Sequence, residues 1–213
     1  MKKVNLLLMM LLAVLLAACG SSDVAPTPVI PENGSSQVNS AEADPAVQDL
    51  VKNAEENPSS AAYLKLGNAY TERARFSDAI DAYKKGLAIN PNHPATLANL
   101  GVALYQLGRF SEARQQFEKA LSVNPDDAAT TYLLGATYLQ SGDQQNAETM
   151  FTKALSIDPT LPEAHFGLGT LYAMQNKNEQ AIKEFETFLA GPPAQDPRAK
   201  GEAERYLKQL KGQ

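Results

Sequence analysis

Few residues in this chain are of the kinds that do covalent or metal chemistry, and they are scattered. Cys19 is the one cysteine, and His93 and His165 are the two histidines. A single Cys makes no internal disulfide and no two-cysteine metal knuckle. His93 lies in the turn Asn90-Pro91-Asn92-His93-Pro94, which leaves its ring to solvent. His165 falls inside an apolar helical pattern and reads as a packing residue. No carboxylate pair, Ser/His/Asp set, Gly-rich phosphate loop or metal-ligand cluster recurs at a workable spacing. The residues therefore assign no catalytic group, no metal site, no cofactor and no small-molecule substrate, and the chain reads as a non-enzyme.

The lone cysteine has a context. Lys2 and Lys3 are followed by Val4 to Leu16, apolar except for Asn5. That run is too short to span a bilayer comfortably and suits the apolar core of a signal peptide. Leu16-Ala17-Ala18-Cys19-Gly20 resembles the lipobox of bacterial lipoproteins. The resemblance implies removal of residues 1–18, a diacylglycerol on the Cys19 thiol and an acyl group on its new amine. Residue 20 is Gly and not Asp, which implies an outer-membrane anchor facing the periplasm. Residues 19–43 then form a tether: Pro26, Pro28, Pro31 and Gly34-Ser35-Ser36 break regular structure, and little apolar material offsets the entropy of ordering it. As a flexible coil it reaches roughly 25–30 Å. Asn33-Gly34-Ser35 matches a glycosylation acceptor only formally.

The remaining chain needs elements rich in Ala and Leu. Trp is absent, aromatics are 7% and hydrophobic residues 44%, which favours helices over a β-sandwich. The net charge of −5 argues against a nucleic-acid binder.

Leu-Gly pairs recur at Leu66-Gly67, Leu100-Gly101, Leu134-Gly135 and Leu168-Gly169, each 34 residues after the last. Behind them run an Ala column (Ala79, Ala113, Ala147, Ala181), an aromatic column (Tyr83, Phe117, Phe151, Phe185) and a Pro column (Pro91, Pro125, Pro159, Pro193). Tyr70, Leu104, Tyr138 and Tyr172 make a further core column. The pattern resembles the tetratricopeptide repeat (TPR). The resemblance implies an all-α helix-turn-helix solenoid, a right-handed superhelix of four repeats at 60–93, 94–127, 128–161 and 162–195. Helix A of each repeat is expected at 61–73, 95–107, 129–141 and 163–175, and helix B at 77–89, 111–123, 145–157 and 179–190. Gly108 and Gly142 suit the A–B turns, Asn176 tolerates the same left-handed backbone, and Ala74 is expected to need a different turn. Both ends read as caps. Asp44-Pro45 starts an N-terminal capping helix within 44–59, and Asp196-Pro197 starts a C-terminal one within 196–213.

The TPR resemblance places ligand-facing side chains on the A helices. Here these are Leu64, Asn68, Thr71, Tyr105, Tyr132, Leu139, Phe166, Thr170 and Met174, a groove polar in its first repeat and aromatic toward its last. Such a lining suits a protein or peptide partner with apolar side chains; tyrosine is also ordinary packing at two of these positions, and the residues alone leave both readings open. Lys65, Asn68 and Asn99 match the start of the carboxylate clamp of chaperone-binding TPRs, but the third A helix has no Lys or Arg, so the clamp is rejected. The implied function is a membrane-anchored scaffold of the cell envelope, with pilus or secretin assembly the first subtype to name. The alternatives are a structural protein whose groove is filled by a neighbouring copy's helix or tether, and an enzyme without a sequence signature.

Overall fold

A computed structural model describes residues 44–191 and 197–212. The signal segment, Cys19 and the tether lie outside the described residues, as do Pro193 and Asp196. The described residues form ten helices and no strand: α1 Pro45–Glu56, α2 Ser60–Glu72, α3 Phe76–Ile89, α4 Pro94–Gln106, α5 Phe110–Val123, α6 Ala128–Gln140, α7 Gln144–Ile157, α8 Pro162–Met174, α9 Asn178–Ala190 and α10 Pro197–Leu210. The helices α2, α4, α6 and α8 are the A helices; α3, α5, α7 and α9 are the B helices. Each begins and ends within a residue or so of where the repeat pattern predicts.

Local chemistry sets these ends. The Asp44 carboxylate accepts from the Ala46 N–H at 3.0 Å and Pro45 opens α1. Ser59, Asp127 and Asp143 cap α2, α6 and α7 in the same way. At the A–B turns the chain takes a left-handed residue each time: Ala74 (φ 56°), Gly108 (φ 72°), Gly142 (φ 80°) and Asn176 (φ 57°). The expectation of a different turn at Ala74 is thus corrected. The turn is kept, and Ala74 carries the steric cost that a Cβ meets in this conformation.

Each helix packs on its chain neighbours, and successive A helices also touch one another. The A helices therefore line the inner side of the stack. Between them and the B helices lies a core of Ala and aromatic rings. Tyr83, Phe117, Phe151 and Phe185 are all fully buried. Each lies against the glycine of its own A helix: a Cβ on Gly101 would come within 2.7 Å of Phe117, and one on Gly135 or Gly169 within 2.8 Å of Phe151 or Phe185. Phe151 also lies against Gly167 of the next repeat, whose Cβ would meet it at 2.9 Å. The column of glycines exists because these rings occupy the space of its side chains.

The terminal helices continue the alternation. Val47, Val51 and Ala54 in α1 pack at the spacing of Ala113, Phe117 and Ala120 in α5, so α1 stacks as a B helix, without an A partner among the described residues. In α10, Ala203 and Tyr206 fall 34 residues after Gly169 and Tyr172. Tyr206 stacks on Phe185 of α9 with ring centroids 5.0 Å apart, as Tyr172 reaches Glu148 of α7. Helix α10 therefore stacks as an A helix, without a B partner among the described residues.

Candidate binding groove

The inner face divides by polarity along its length. In the first two repeats four polar side chains share one network. Tyr83 Oη donates to Asn68 Oδ1 at 2.8 Å, and Asn99 Nδ2 donates to the same oxygen at 2.8 Å. Thr71 Oγ1 lies 3.0 Å from Tyr83 Oη and donates to the Gly67 carbonyl at 2.9 Å. Burial pushes the Tyr83 hydroxyl well above its ordinary pKa, so it stays a donor throughout the physiological range. Asn68 and Asn99 are half-buried. Their remaining amide groups, Asn68 Nδ2 and Asn99 Oδ1, are one donor and one acceptor outside these bonds.

Farther along, the A helices turn inward on the protein itself. In α6 every residue from Thr130 to Thr137 is buried. Tyr105 meets Phe110 edge-on at 5.2 Å, Tyr132 stacks on Phe151 at 5.7 Å, and Phe166 lies 5.6 Å from Phe185 and 5.3 Å from Phe188. Of the groove residues expected from sequence, Thr71, Tyr105, Tyr132, Leu139, Phe166 and Thr170 are therefore buried. Leu64 and Asn68 are half-buried, and of these residues only Met174 is exposed, at 46%. The aromatic side chains that the sequence assigns to ligand contact are gathered into the ring packing between A and B helices. The Tyr132 hydroxyl and Thr170 Oγ1 are buried with no hydrogen-bond partner among the described residues. Desolvation raises the pKa of Tyr132 far above its ordinary value.

Charge is sparse on this face. Helices α4 and α6 carry no charged residue, and α8 carries Glu163 with His165. Burial raises the Glu163 carboxyl above its ordinary range, and Asp158 nearby adds to the shift. A carboxylate ligand would find no cation on α6.

Both histidines have structural work that sequence reasoning missed. His93 caps α4: its Nδ1 accepts from the Thr96 N–H at 3.3 Å and lies 2.9 Å from Thr96 Oγ1. His165 is wedged between two acceptors, Glu184 Oε2 at 2.7 Å and the Pro159 carbonyl at 3.2 Å, and ties α8 to α9. The signal for His93 was its place just before Pro94. For His165 no local signal existed, since Glu184 comes from another helix. Among the described residues no three His, Cys, Asp or Glu side chains gather as metal ligands, and no helix is long and apolar enough to cross a membrane.

Comparison with known proteins agrees with this architecture. Tetratricopeptide repeat models match residues 37–94, 70–137 and 138–201. No curated protein matches the chain. Among solved structures, MamA residues 41 to the end from Desulfovibrio magneticus RS-1 superposes with a TM-score of 0.63 at 23% identity, covering 68% of this chain and 82% of that one. A thermophilic TPR protein of Thermus thermophilus superposes with a TM-score of 0.65 at 22% identity, covering 76% and 89%. The first TPR of Spaghetti, bound to the HSP90 peptide SRMEEVD, gives a TM-score of 0.54 at 22% identity, covering 55% and 93%. These likenesses are of fold. The repeat models span more than half of the sequence, and the chain belongs to the tetratricopeptide repeat family.

Proposed function

We propose that this protein is a lipid-anchored adaptor of a bacterial cell envelope that holds a peptide segment of a partner protein against its A helices. The observation that carries the binding half is the Asn68–Asn99 pair. One oxygen of Asn68 is saturated by Tyr83 and Asn99, which fixes both amides and leaves Asn68 Nδ2 as a donor and Asn99 Oδ1 as an acceptor outside these bonds. That combination complements a peptide main chain, which carries one of each per residue. The polar first repeats give orientation, and Leu64 and Met174 offer apolar contact. Spaghetti's TPR holds an acidic peptide; the present chain lacks Lys or Arg on α6, so its ligand is a different one. The anchoring half rests on Leu16-Ala17-Ala18-Cys19-Gly20, with residues 19–43 as tether. Gly20 after the cysteine makes the outer membrane the expected site of attachment, and pilus or secretin assembly is the subtype of this reading named first from its resemblance to lipid-anchored TPR proteins.

Two experiments test it. A photo-crosslinking residue at Asn68 should capture a partner in native membranes, while one at the exposed Lys153 on the B-helix side should not. Equal adducts from both sites would remove the groove from the function. Cys19→Ala should release the protein from the membrane pellet and abolish acyl labelling; unchanged retention would sink the anchor. Tyr132 and Phe166 are unsuited to such tests, because truncating a buried ring costs about 3–5 kcal/mol of stability.

A further inference from the structure

Among the described residues the stack begins with a B-type helix, α1, that has no A partner and ends with an A-type helix, α10, that has no B partner. A B helix following an A helix is the order inside every repeat, so α1 of one copy set against α10 of another would continue the alternation. The two outer surfaces differ in charge. On α1 the exposed side chains are acidic at Asp49 and Glu56, with Glu55 at the edge toward Tyr63 and Tyr70, against a single Lys52, which itself lies 3.9 Å from Glu56. The surface of α10 carries Arg198, Lys200, Arg205 and Lys208 against Glu204 and the half-buried Glu202, which pairs with Arg205, and so keeps an excess of cations. Gly201 adds a bare spot there, since a Cβ at that position would meet nothing within 4 Å.

We propose that a second copy of this chain docks head to tail, the acidic face of α1 on the basic face of α10. This goes beyond the adaptor reading and does not depend on it. The contact is heterologous, so it does not close on itself and propagates into an open row of copies. Each helix is about 20 Å long, and one pair of such faces buries less than the roughly 1,200 Å² of a stable complex. The contact is therefore weak, and charge sets its partner choice and its salt dependence.

Sedimentation velocity of the full chain in a non-ionic detergent, over a concentration series, is the test. Raising ionic strength from about 0.01 to about 1 M shortens the screening length from about 30 to about 3 Å and should weaken association at least ~10-fold. Two variants carry the decisive comparison: Asp49→Lys/Glu55→Lys/Glu56→Lys, and Lys200→Glu/Arg205→Glu/Lys208→Glu. Each alone should be monomeric, because its two ends then share one sign. Mixed, the reversed α1 of one should meet the reversed α10 of the other and association should return. All six positions are exposed, and unchanged melting temperatures would show that both variants fold. A wild-type chain that stays monomeric at low salt overturns the proposal. So does either variant associating like wild type, or a mixture that stays monomeric.

Discussion

Replacing Gly135 with Ala should destabilise the protein, although the same exchange in an open helix stabilises. Ala is favoured over Gly within a helix by about 1 kcal/mol. At Gly135, in the middle of α6, a new Cβ would lie 2.8 Å from Phe151 Cδ1, 2.9 Å from its Cε1 and 3.1 Å from Met150 Cβ. The Phe151 ring is fully buried, with Tyr132 stacked on it and Gly167 against it, and has nowhere to retreat. Overpacking of this kind costs about 1–3 kcal/mol, which outweighs the propensity gain and leaves a net loss of up to about 2 kcal/mol. Gly201 in α10 is the matched control. It is exposed with nothing near its Cβ position, so Gly201→Ala should gain up to about 1 kcal/mol. Urea titrations read both as shifts of the midpoint in opposite directions, about 0.5 M per kcal/mol at a slope near 2 kcal/mol/M. In a Phe151→Leu background Gly135→Ala should lose its penalty, and the double-mutant cycle measures the ring–glycine coupling. If Gly135→Ala stabilises as much as Gly201→Ala, the account of the glycine column is wrong.

Other consequences are open to similar measurement. Ala74→Gly should stabilise by about 1 kcal/mol, because Ala74 holds φ 56° where a Cβ is strained; no change in urea midpoint would refute it. The Asp44 carboxyl is held below its ordinary range, chiefly by its hydrogen bond from Arg73, so its stabilisation is complete above the ordinary Asp value of about 4 and is lost as pH falls through the lower folded one. Hydrogen exchange in α1 should accelerate over that acid window, and Arg73→Ala should flatten the dependence. Glu163 shifts the opposite way. Its raised folded pKa means that the ionised form costs stability at neutral pH, a cost that vanishes once pH falls below both values. Glu163→Gln should therefore melt higher than wild type at about pH 7 and alike at about pH 3; a lower melting temperature at neutral pH would contradict the burial argument.

The architecture was almost fully legible in the sequence, because a 34-residue period prints each helix four times and the turns lie where Gly108 and Gly142 demand them. The groove was not. Whether Tyr132 or Phe166 faces a ligand or a B-helix ring depends on neighbours contributed by other helices. A period in one helix reports a face, whereas burial on all sides of α6 is decided by α5, α7 and α8. His165 shows the same limit, its partner Glu184 being 19 residues away on α9. Gly167 is instructive for a different reason. It stands outside the Leu-Gly column, so the repeat gave no cue that Phe151 would need room on a second helix. Ala74 ran against local preference, and tertiary context kept the turn regardless.

The position of Phe151 between Gly135 and Gly167 bears on how the array comes apart. A linear stack unfolds as a sum of unit stabilities and junction energies, so strong junctions make the units melt together and weak ones let the ends peel away. Phe117 and Phe185 bind each to the glycine of their own repeat; Phe151 alone among these three is shown gripping glycines on both sides of a junction. The third and fourth repeats therefore share one buried ring at their junction. Crowding that ring with Gly167→Ala should loosen the junction, and native-state hydrogen exchange should then find faster amides in α8 and beyond.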